Sequence, residues 1–323
     1  MKLYRSLAEI PADFGPSALT IGNFDGVHFG HRRILRRLKA LAEERGWKPS
    51  VLTFHPHPAS LVAPERAPLL MTSPERRAEL MEHEGVEQVV ILPFTYRVAE
   101  LSPEEFVRDL LVGKLGVRAV LVGHNFRFGH RQAGNVRVLT ELGKRFGFET
   151  VEVPAVGWRG RPVSSSGIRH LIAAGNVALA ARLLQHAYGV EGDVVSGRGV
   201  GSKQTVPTLN LATTTQLIPA RGVYISQTRD LDDACEWQSI TNIGYRPTFG
   251  ESDQLSIETF LLEPLEGATP SRIRVEFFRR LRDERKFDRP EDLKAQIMTD
   301  VRQAQAYFRR AKAWIGRVPC TSS

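Results

Sequence analysis

The sequence predicts an α/β protein of two domains, in which a parallel sheet covered by helices precedes an antiparallel barrel or sandwich. Short apolar runs alternate with amphipathic helical segments over the first half of the chain. Past "HAYG" (186–189) the pattern changes to strand-like runs at hairpin spacing, separated by Gly, Pro, Asn and Asp. With 323 residues, the chain is long enough for two domains with cores of their own. We therefore expect domains at 1–186 and 187–318.

The first half is expected to alternate five parallel strands with four helices. The helix at 30–46 has one apolar face and ends at Gly46. The helices at 73–85 and 102–116 both open with Ser-Pro-Glu, an N-cap followed by proline at the first helical position. The other elements are strands at 17–23, 49–54, 88–94, 118–123 and 148–154 and a helix at 135–147. Ligands of such sheets bind at the carboxyl ends of the strands, where three polar motifs lie.

Two short helices over 166–186, joined at "AAGN", are expected at the end of the first domain, before the boundary near 187. The strand-like runs that follow are "VEGDVVSG", "LNLA", "GVYISQT", "QSITNIG", "LSIETFLL" and "SRIRVEFFRRLR". Their spacing favours an antiparallel barrel or sandwich. One long amphipathic helix is expected at 289–315.

Composition narrows the class of protein. We find no apolar run near the ~18 residues of a membrane span, and the first residues lack the apolar stretch of a signal peptide. Cys235 and Cys320 have no CxxC spacing, so we expect a reduced, cytoplasmic setting. The net charge of +8 favours anionic partners, but the basic clusters lack the patterns of nucleic-acid-binding domains. A modest positive excess over 323 residues is most simply an ordinary soluble surface. Where it reflects a partner, we expect a small phosphorylated molecule, neither nucleic acid nor membrane, and the oligomeric state stays open.

The segment "TIGNFDGVHFGH" (20–31) joins the first strand to the first helix. Its glycines let backbone N–H groups point at a ligand, and the helix N-terminus adds a positive dipole end that suits phosphate. His28 and His31 supply donors, and Gly30 lets a ligand approach closely. Either histidine alone is more simply an N-cap, but the whole motif at a strand–helix junction indicates a phosphate site. Transfer at a phosphate requires such positioned donors.

Two further motifs follow predicted strands. In "FHPHP" (54–58) the prolines are expected to fix an extended loop in which His57 lines a pocket, although a rigid surface turn is the simpler alternative. In "GHNFRFG" (123–129) Asn125 offers a donor and an acceptor to the edge of a heterocycle. Phe126 and Phe128 face one way and suit stacking on such a ring, and the hydrophobic core is a serious alternative for one of them.

The motif "SSSGIR" (164–169) precedes the domain boundary. Its serines are expected to cap a helix and expose backbone N–H groups, while Arg169 can form two parallel hydrogen bonds to phosphate.

The four motifs, in this order and spacing, resemble those of the bacterial bifunctional riboflavin kinase/FAD synthetase family, and the "HxGH" within the first is the signature of nucleotidyltransferases. The second half resembles the riboflavin kinase module, through "VPTLN" (206–210), "NIGYRPTFG" (242–250) and "IETF" (257–260). The resemblance covers nearly the whole chain. It implies a Rossmann-like nucleotidyltransferase domain with a parallel sheet, followed by an antiparallel β-barrel riboflavin kinase domain with a long terminal helix.

The resemblance also implies roles for individual residues. Glu258 is the expected general base of the kinase, and His28, His31 and Arg169 are the expected catalytic groups of adenylyl transfer. Thr208 and Asn210 are expected to hold Mg²⁺ and the phosphates of ATP. The expected ATP and phosphate contacts are Gly22, Phe24, Asp25, Gly30, Ser164, Ser165, Ser166, Gly201 and Lys203. The expected flavin contacts are His57, Asn125, Phe126, Phe128 and Arg282.

The activity implied is phosphorylation of riboflavin to FMN by ATP, then adenylylation of FMN by a second ATP to give FAD and pyrophosphate. The kinase module departs from the family at Thr205-Val206, at "GVGSKQT" (199–205) and at Phe260, where relatives have histidine. These departures keep an FMN adenylyltransferase with a weakened kinase as an alternative. A flavin- or nucleic-acid-binding protein without turnover is a second alternative, suggested by the basic charge.

Overall fold

A computed structural model describes residues 1–158, 160–195, 208–212, 215–233, 235–246, 254–265 and 267–311. The chain divides into two compact units, 1–165 and 166–323. The predicted boundary at 186 lies about twenty residues later, because two short helices that precede it pack with the second unit.

The first unit contains ten strands and six α-helices within its described residues. Its strands are β1 (Lys2–Tyr4), β2 (Ser17–Ile21), β3 (Lys48–His55), β4 (Gln88–Pro93), β5 (Val117–Gly123), β6 (Arg127–Phe128), β7 (Gly134–Asn135), β8 (Glu149–Val153), β9 (Gly157–Trp158) and β10 (Arg161–Pro162). Its helices are α1 (Phe29–Arg45), α2 (Pro58–Val62), α3 (Pro74–Glu82), α4 (Tyr96–Ala99), α5 (Pro103–Glu105) and α6 (Val136–Phe146).

Six of these strands form one parallel sheet in the order β1-β4-β3-β2-β5-β8. All five residues of β2 are buried, as its position at the centre of a two-sided sheet requires. From β2 the chain continues to β3 and β4, which lie on one side of β2 in the sheet. It then returns to β5 and β8, which lie on the other side of β2. The order of strands therefore reverses between β2 and β5, and open α/β sheets bind ligands outside the carboxyl ends of the strands at such a point.

The predicted helix at 102–116 has an irregular geometry. After α5, residues Phe106–Val112 form a π-helix, and Gly113 N–H donates to the carbonyl of Arg108, five residues back. Ser102 and Glu105 form the capping box that the Ser-Pro-Glu opening predicts. The extra residue in the turn places Phe106, Val107, Leu110 and Leu111 in the core beside the sheet.

The second unit starts with helices α7 (Ser165–Ala173) and α8 (Val177–Leu184) and ends with α9 (Pro290–Ala311). Between them lie β11 (Tyr188–Val195), β12 (Thr208–Leu211), β13 (Gly222–Asp230), β14 (Glu236–Arg246), β15 (Gln254–Leu261) and β16 (Arg272–Arg282). All neighbouring strands are antiparallel, and they close into a barrel in the order β11-β12-β15-β14-β13-β16. Of the two antiparallel architectures predicted for the second half, the barrel is therefore confirmed and the sandwich is not.

Hydroxyl groups occupy part of the barrel interior. Five fully buried side chains form one hydrogen-bonded network with oxygen separations of 2.7–3.0 Å; they are Ser226, Thr228, Ser239, Thr241 and Thr259. Buried hydroxyls are tolerated because each has a partner. Since residues alternate between the two faces of a strand, the neighbours of Thr259 along β15 lie on the outer face. α9 packs over another part of this outer face, against Val223, Ile225 and Ile240.

Candidate active sites

His28 occupies the junction between β2 and α1 and caps the helix. Its Nδ1 accepts the backbone N–H groups of Gly30 at 3.2 Å and His31 at 3.4 Å. Because Nδ1 is an acceptor here, a neutral His28 ring carries its proton on Nε2. The structure therefore shows that His28 caps the helix through one ring nitrogen. Its role at a phosphate stays a prediction.

The ring of His31 lies parallel to that of His28, with centroids 3.7 Å apart, and against Phe24 at 5.0 Å. Gly30 makes this packing possible. A Cβ at residue 30 would lie 3.1 Å from the ring of His28 and 3.3 Å from Val156. We predicted that Gly30 leaves room for a ligand, and in the structure it first leaves room for the capping imidazole.

The loop between β2 and α1 has a strained backbone. Phe24 and Val27 have positive φ angles of 49° and 37°, which is uncommon for any residue other than glycine and an outlier for a β-branched one. Both side chains are buried in the core, at 2% and 0% exposure. Core packing therefore holds a backbone conformation that the residues would not adopt alone.

Asp25 is the anchor of this loop. Its buried carboxylate accepts the N–H groups of Met71 and Thr72 at 3.0 Å and the Thr72 hydroxyl at 3.0 Å. Thr72 in turn accepts the N–H of Gly26 at 3.1 Å. The sequence-based assignment of Asp25 to ATP contact is not what the geometry favours, because a buried carboxylate held by loop donors positions the loop and repels phosphate.

His57 lies at the end of β3 and contacts the loop after β2. Its Nε2 is 2.9 Å from the side-chain amide of Asn23, and its Nδ1 accepts the N–H of Ala59. The extended loop predicted for "FHPHP" is wrong in its second part, since Pro58 is the first residue of the short helix α2 and His57 is its cap. Two of the motifs are thus joined by a direct contact.

Asn23 and Arg77 are site residues that the sequence did not indicate. The hydroxyl of Thr53 donates to the carbonyl of Asn23 at 3.2 Å and accepts from Arg77 Nη1 at 3.2 Å. Arg77 is 2% exposed. The pKa of the nearby His55 is lowered, mainly because His55 is partly buried and secondly because of the positive charge of Arg77. The sequence contains one signal that could have indicated Arg77. This arginine lies four residues before Met81, so it is on the apolar, buried face of α3, where an arginine is unexpected.

The motif after β5 meets the same edge of the sheet. Asn125 is exposed, and Phe126 and Phe128 are stacked with ring centroids 5.4 Å apart. Phe128 is only 6% exposed and packs on Phe106 in the core. The two rings face one way as predicted, but Phe126 has the more accessible face.

The serine motif follows β10 and leads into α7. Within the first unit, whose last residue is Ser165, the Oγ of that serine lies 3.4 Å from the backbone carbonyl of Asp25. Ser164 and Ser166 are exposed, and Arg169 lies half-buried on α7, one turn after Ser165.

Many of the basic residues noted in the sequence have acidic partners inside the fold. Arg32 and Arg36 of α1 both bind the buried carboxylate of Glu84. In the barrel, Arg274 binds Glu191 at 2.6 Å, and both side chains are less than one-tenth exposed. The positive run after the first motif is thus partly neutralised within the protein.

The predicted kinase residues lie on adjacent strands of the barrel. Glu258 on β15 is directly opposite Asn210 on β12 and Asn242 on β14. Directly paired residues lie on one face with Cβ atoms about 4.5–5.5 Å apart. Thr208 is opposite Phe260 on the same face, and Ser256 donates to Glu258 at 3.0 Å. The strand pairing therefore brings Thr208, Asn210 and Glu258 together, and it adds Asn242, which sequence analysis left out.

This face offers oxygen ligands of the kind that Mg²⁺ prefers: a hydroxyl, an amide carbonyl and a carboxylate on neighbouring strands. The described residues contain no cluster of three or more His, Cys, Asp or Glu side chains suited to a metal ion.

Arg282 has a different environment from the one predicted. Its guanidinium binds the buried carboxylate of Asp300 through Nε at 3.0 Å and Nη2 at 2.8 Å, which joins β16 to α9. Gln296 also donates to Asp300, at 2.9 Å. A guanidinium so neutralised is a structural brace and a weak candidate for the flavin phosphate. Gly201 and Lys203 lie outside the described residues.

Two family profiles match this chain. The FAD synthetase family profile matches residues 10–167, and the riboflavin kinase profile matches residues 184–308. A bifunctional riboflavin kinase/FMN adenylyltransferase of Pseudomonas fluorescens is 36% identical over 306 residues, 95% of this chain and 97% of the relative. The chain belongs to this bifunctional family. A relative of the same description from Escherichia coli K12 is 34% identical, over 95% of this chain and 98% of its own.

Among solved structures, one described as a macrolide-efflux protein from Streptococcus pneumoniae has the same fold. It superposes with a TM-score of 0.81 at 25% identity and covers 94% of this chain and 98% of its own. Within the part of the chain that the structure describes, none of the helices combines the length and apolarity needed to cross a bilayer.

Proposed function

We propose that this chain makes FMN from riboflavin and ATP at the β12–β15–β14 face of the barrel, and FAD from FMN and a second ATP at the carboxyl edge of the parallel sheet. The chain contains both a riboflavin kinase and an FAD synthetase domain, with ATP as the substrate of each. The observation that carries the assignment of the first site is the register that places Glu258 between Asn210 and Asn242. For the second site it is the contact of Asn23 with His57, which joins the motifs after β2 and β3 beside the point where the strand order reverses.

In the kinase step, Glu258 accepts the proton of the riboflavin 5′-hydroxyl as that oxygen attacks the γ-phosphorus of ATP and ADP leaves. Ser256 orients the carboxylate by donating to it. Thr208 and Asn210 would hold Mg²⁺, which when bound neutralises charge on the ATP phosphates. We assign Gly201 and Lys203 to the phosphates on the resemblance alone.

In the adenylyl step, an oxygen of the FMN phosphate attacks the α-phosphorus of ATP, and the bond to the bridging oxygen of the leaving pyrophosphate breaks. His28 is placed to donate from Nε2 to the reacting phosphate, because its Nδ1 is fixed by the cap. His31 packs on His28 and shares its orientation. We assign Arg169 and the hydroxyls of Ser164 to Ser166 to the phosphates, and Gly22 and Phe24 to the shape of the loop.

For the flavin, the geometry favours the exposed amide of Asn125 and the accessible face of Phe126, with Phe128 supporting Phe126 from the core. His57 belongs to the same edge of the sheet through Asn23. We keep 1–186 and 187–318 as the catalytic domains, since the first strand of the barrel begins at Tyr188. Cysteine usage supports a cytoplasmic setting.

The test is a time course of the purified chain with riboflavin, ATP and Mg²⁺, with the flavins separated and measured. FMN should rise first and FAD should follow with equimolar pyrophosphate. Chelation of divalent cations with EDTA should stop FMN formation. Conversion of supplied FMN to FAD with no product from riboflavin would contradict the kinase assignment, and no product from either flavin would contradict both.

A further inference from the structure

A cavity of about 250 Å³ lies between α9 and strands β13 and β16, away from the residues assigned to phosphoryl transfer. Its apolar lining comes from Ile225, Leu281 and Ala306. Its polar lining consists of three arginines, Arg279, Arg280 and Arg310, with Gln303 and Tyr307. None of the described residues that line the cavity is acidic.

Of the three arginines of the cavity, one has an acidic partner among the described residues. Arg280 binds Asp283 at 3.0 Å and donates to the carbonyl of Arg221. Arg279 and Arg310 have neither an ion pair nor a side-chain hydrogen bond within the described part of the chain. Two exposed guanidiniums therefore meet at one cavity with their donors available, on two different elements.

Tyr307 separates this cavity from the core beneath α9. Burial is the main cause that raises the pKa of its phenol, and the nearby charge of Arg279 opposes that rise. Its ring packs on Phe278 and Phe308 with centroids 6.1 Å and 5.6 Å apart. The tyrosine side of the cavity is thus rigid and neutral, and a phenol hydroxyl is a further donor.

The cavity lies on other strands than Glu258. Around the closed barrel, β16 is three strands from β15 in either direction, and β13 is two strands from it. With strands about 4.8 Å apart, these separations are on the order of 10–14 Å along the barrel surface. A diphosphate confined to this cavity therefore does not contact Glu258, although β13 borders the strand of Asn242.

The size of the cavity limits the class of ligand. Pockets that enclose a drug-sized molecule are about 300–1,000 Å³, so 250 Å³ is too little for a complete flavin nucleotide. It is sufficient for a diphosphate group. Guanidiniums are the side chains best suited to phosphate, because two N–H groups can bind two oxygens in parallel.

We propose that this cavity is an anion site for a diphosphate group, either free pyrophosphate or the diphosphate of a nucleotide whose remainder projects through the open side. Arg279 and Arg310 bind the phosphate oxygens from opposite walls, and Gln303 and Tyr307 donate to them. The site is additional to the proposed catalytic sites and does not depend on either activity.

The test follows the reaction of individual arginines with phenylglyoxal by peptide mass spectrometry. Added pyrophosphate should slow modification of Arg279 and Arg310 severalfold. Arg309, which is exposed on the same helix outside the cavity lining, is the internal control and should react at an unchanged rate. Equal rates at Arg279 and Arg310 with and without pyrophosphate, or equal protection of Arg309, would overturn the proposal.

A pair of variants makes the test quantitative. In Arg310→Gln, half-protection of Arg279 should require at least about tenfold more pyrophosphate, since charge-assisted hydrogen bonds are lost. Arg309→Gln changes charge equally and should leave that concentration unchanged. Protection by ADP at lower concentration than pyrophosphate would identify a nucleotide as the occupant, and the reverse order would identify free pyrophosphate. Protection by riboflavin, which has no phosphate, would contradict the proposed ligand class.

Discussion

His28 has a structural role in the fold and a proposed role in the chemistry. Its Nδ1 accepts two N–H groups at the start of α1, and this contact fixes the ring and leaves the proton on Nε2. Gly30 has no Cβ to displace the ring, and His31 packs parallel to it. The conformation of the donor is thus set before any phosphate arrives, which is what preorganised stabilisation of a transition state requires.

Asp25 acts on the same site indirectly, by holding the strained loop. In Asp25→Asn, the oxygen that accepts three hydrogen bonds can be kept, but NH₂ replaces Oδ2, which now accepts the N–H of Met71, and the acceptor loses its charge. We expect the free energy of unfolding of the first unit to fall by about 1–3 kcal/mol, because buried hydrogen bonds to a charged acceptor become weaker and one donor faces another. We also expect FAD formation from FMN to fall while FMN formation is retained.

Chemical denaturation and the two flavin assays check this expectation. Asp13→Asn is the matched control, since it removes the same charge at an exposed position of the same unit. An Asp25→Asn protein with unchanged stability and unchanged FAD formation would show that Asp25 does not hold the loop.

At the level of elements, helix α9 is fixed to the barrel by one buried ion pair. Arg282 of β16 binds Asp300 of α9, with side chains 16% and 4% exposed. Arg282→Ala would leave a buried carboxylate without its counter-charge, and we expect a loss of about 3–5 kcal/mol in the free energy of unfolding of the second unit. The temperature at which FMN formation is lost should fall accordingly.

Arg289→Ala is the matched comparison, because Arg289 also binds an aspartate of α9, Asp292, but with side chains 72% and 46% exposed. An exposed pair contributes at most about 1 kcal/mol. The double variant Arg282→Ala/Asp300→Ala should recover part of the loss by removing the unpaired charge. Equal effects of Arg282→Ala and Arg289→Ala would contradict the role of Arg282 as a brace.

Strand β13 carries a titratable group that should affect stability at high pH. Burial, the dominant cause, raises the pKa of Tyr224 from 10.0 to about 12, and the charge of Arg280 opposes this rise. The unfolded chain therefore loses the phenol proton first, and the contribution of Tyr224 to stability is complete below pH 10 and lost as the pH rises toward 12.

Tyr224→Phe should accordingly reduce the decline in unfolding free energy between pH 10 and pH 12, measured by denaturant titration at each pH. Tyr96→Phe is the control, since Tyr96 is 67% exposed. An identical pH profile for wild type and Tyr224→Phe would exclude a buried, neutral phenol at this position.

For the molecule as a whole, the order of elements was predictable because each depends on local signals. The parallel sheet followed from apolar runs alternating with capped helices, and Ser73, Asn135 and Gly46 stop or start helices as their residue types indicate. Closure of the barrel was not predictable from the sequence pattern, since a sandwich has the same alternation along each strand. Closure depends on the pairing of β11 with both β12 and β16.

The position of His28 at a strand–helix junction was predictable because its motif lies in one segment, whereas Glu258 was assigned on the family resemblance. Site contacts were not predictable where partners come from distant segments. Arg77 reaches Thr53 from a helix that reads as amphipathic, and Asn242 meets Glu258 only through strand register. Arg282 was assigned to the flavin phosphate, and the sequence did not indicate its actual partner. That partner, Asp300, is 18 residues away along the chain and becomes buried only when α9 packs on the barrel.

The central claim, that two separate sites on one chain perform two successive reactions, is tested most directly by one crossed assay. His28→Asn keeps a side chain able to cap α1 but lacks the imidazole donor. It should still make FMN from riboflavin, while FAD formation falls by about 10²-fold or more. Glu258→Gln should lose FMN formation by about 10²–10⁴-fold and still convert supplied FMN to FAD. Loss of both activities in either variant, or of neither, would contradict the account.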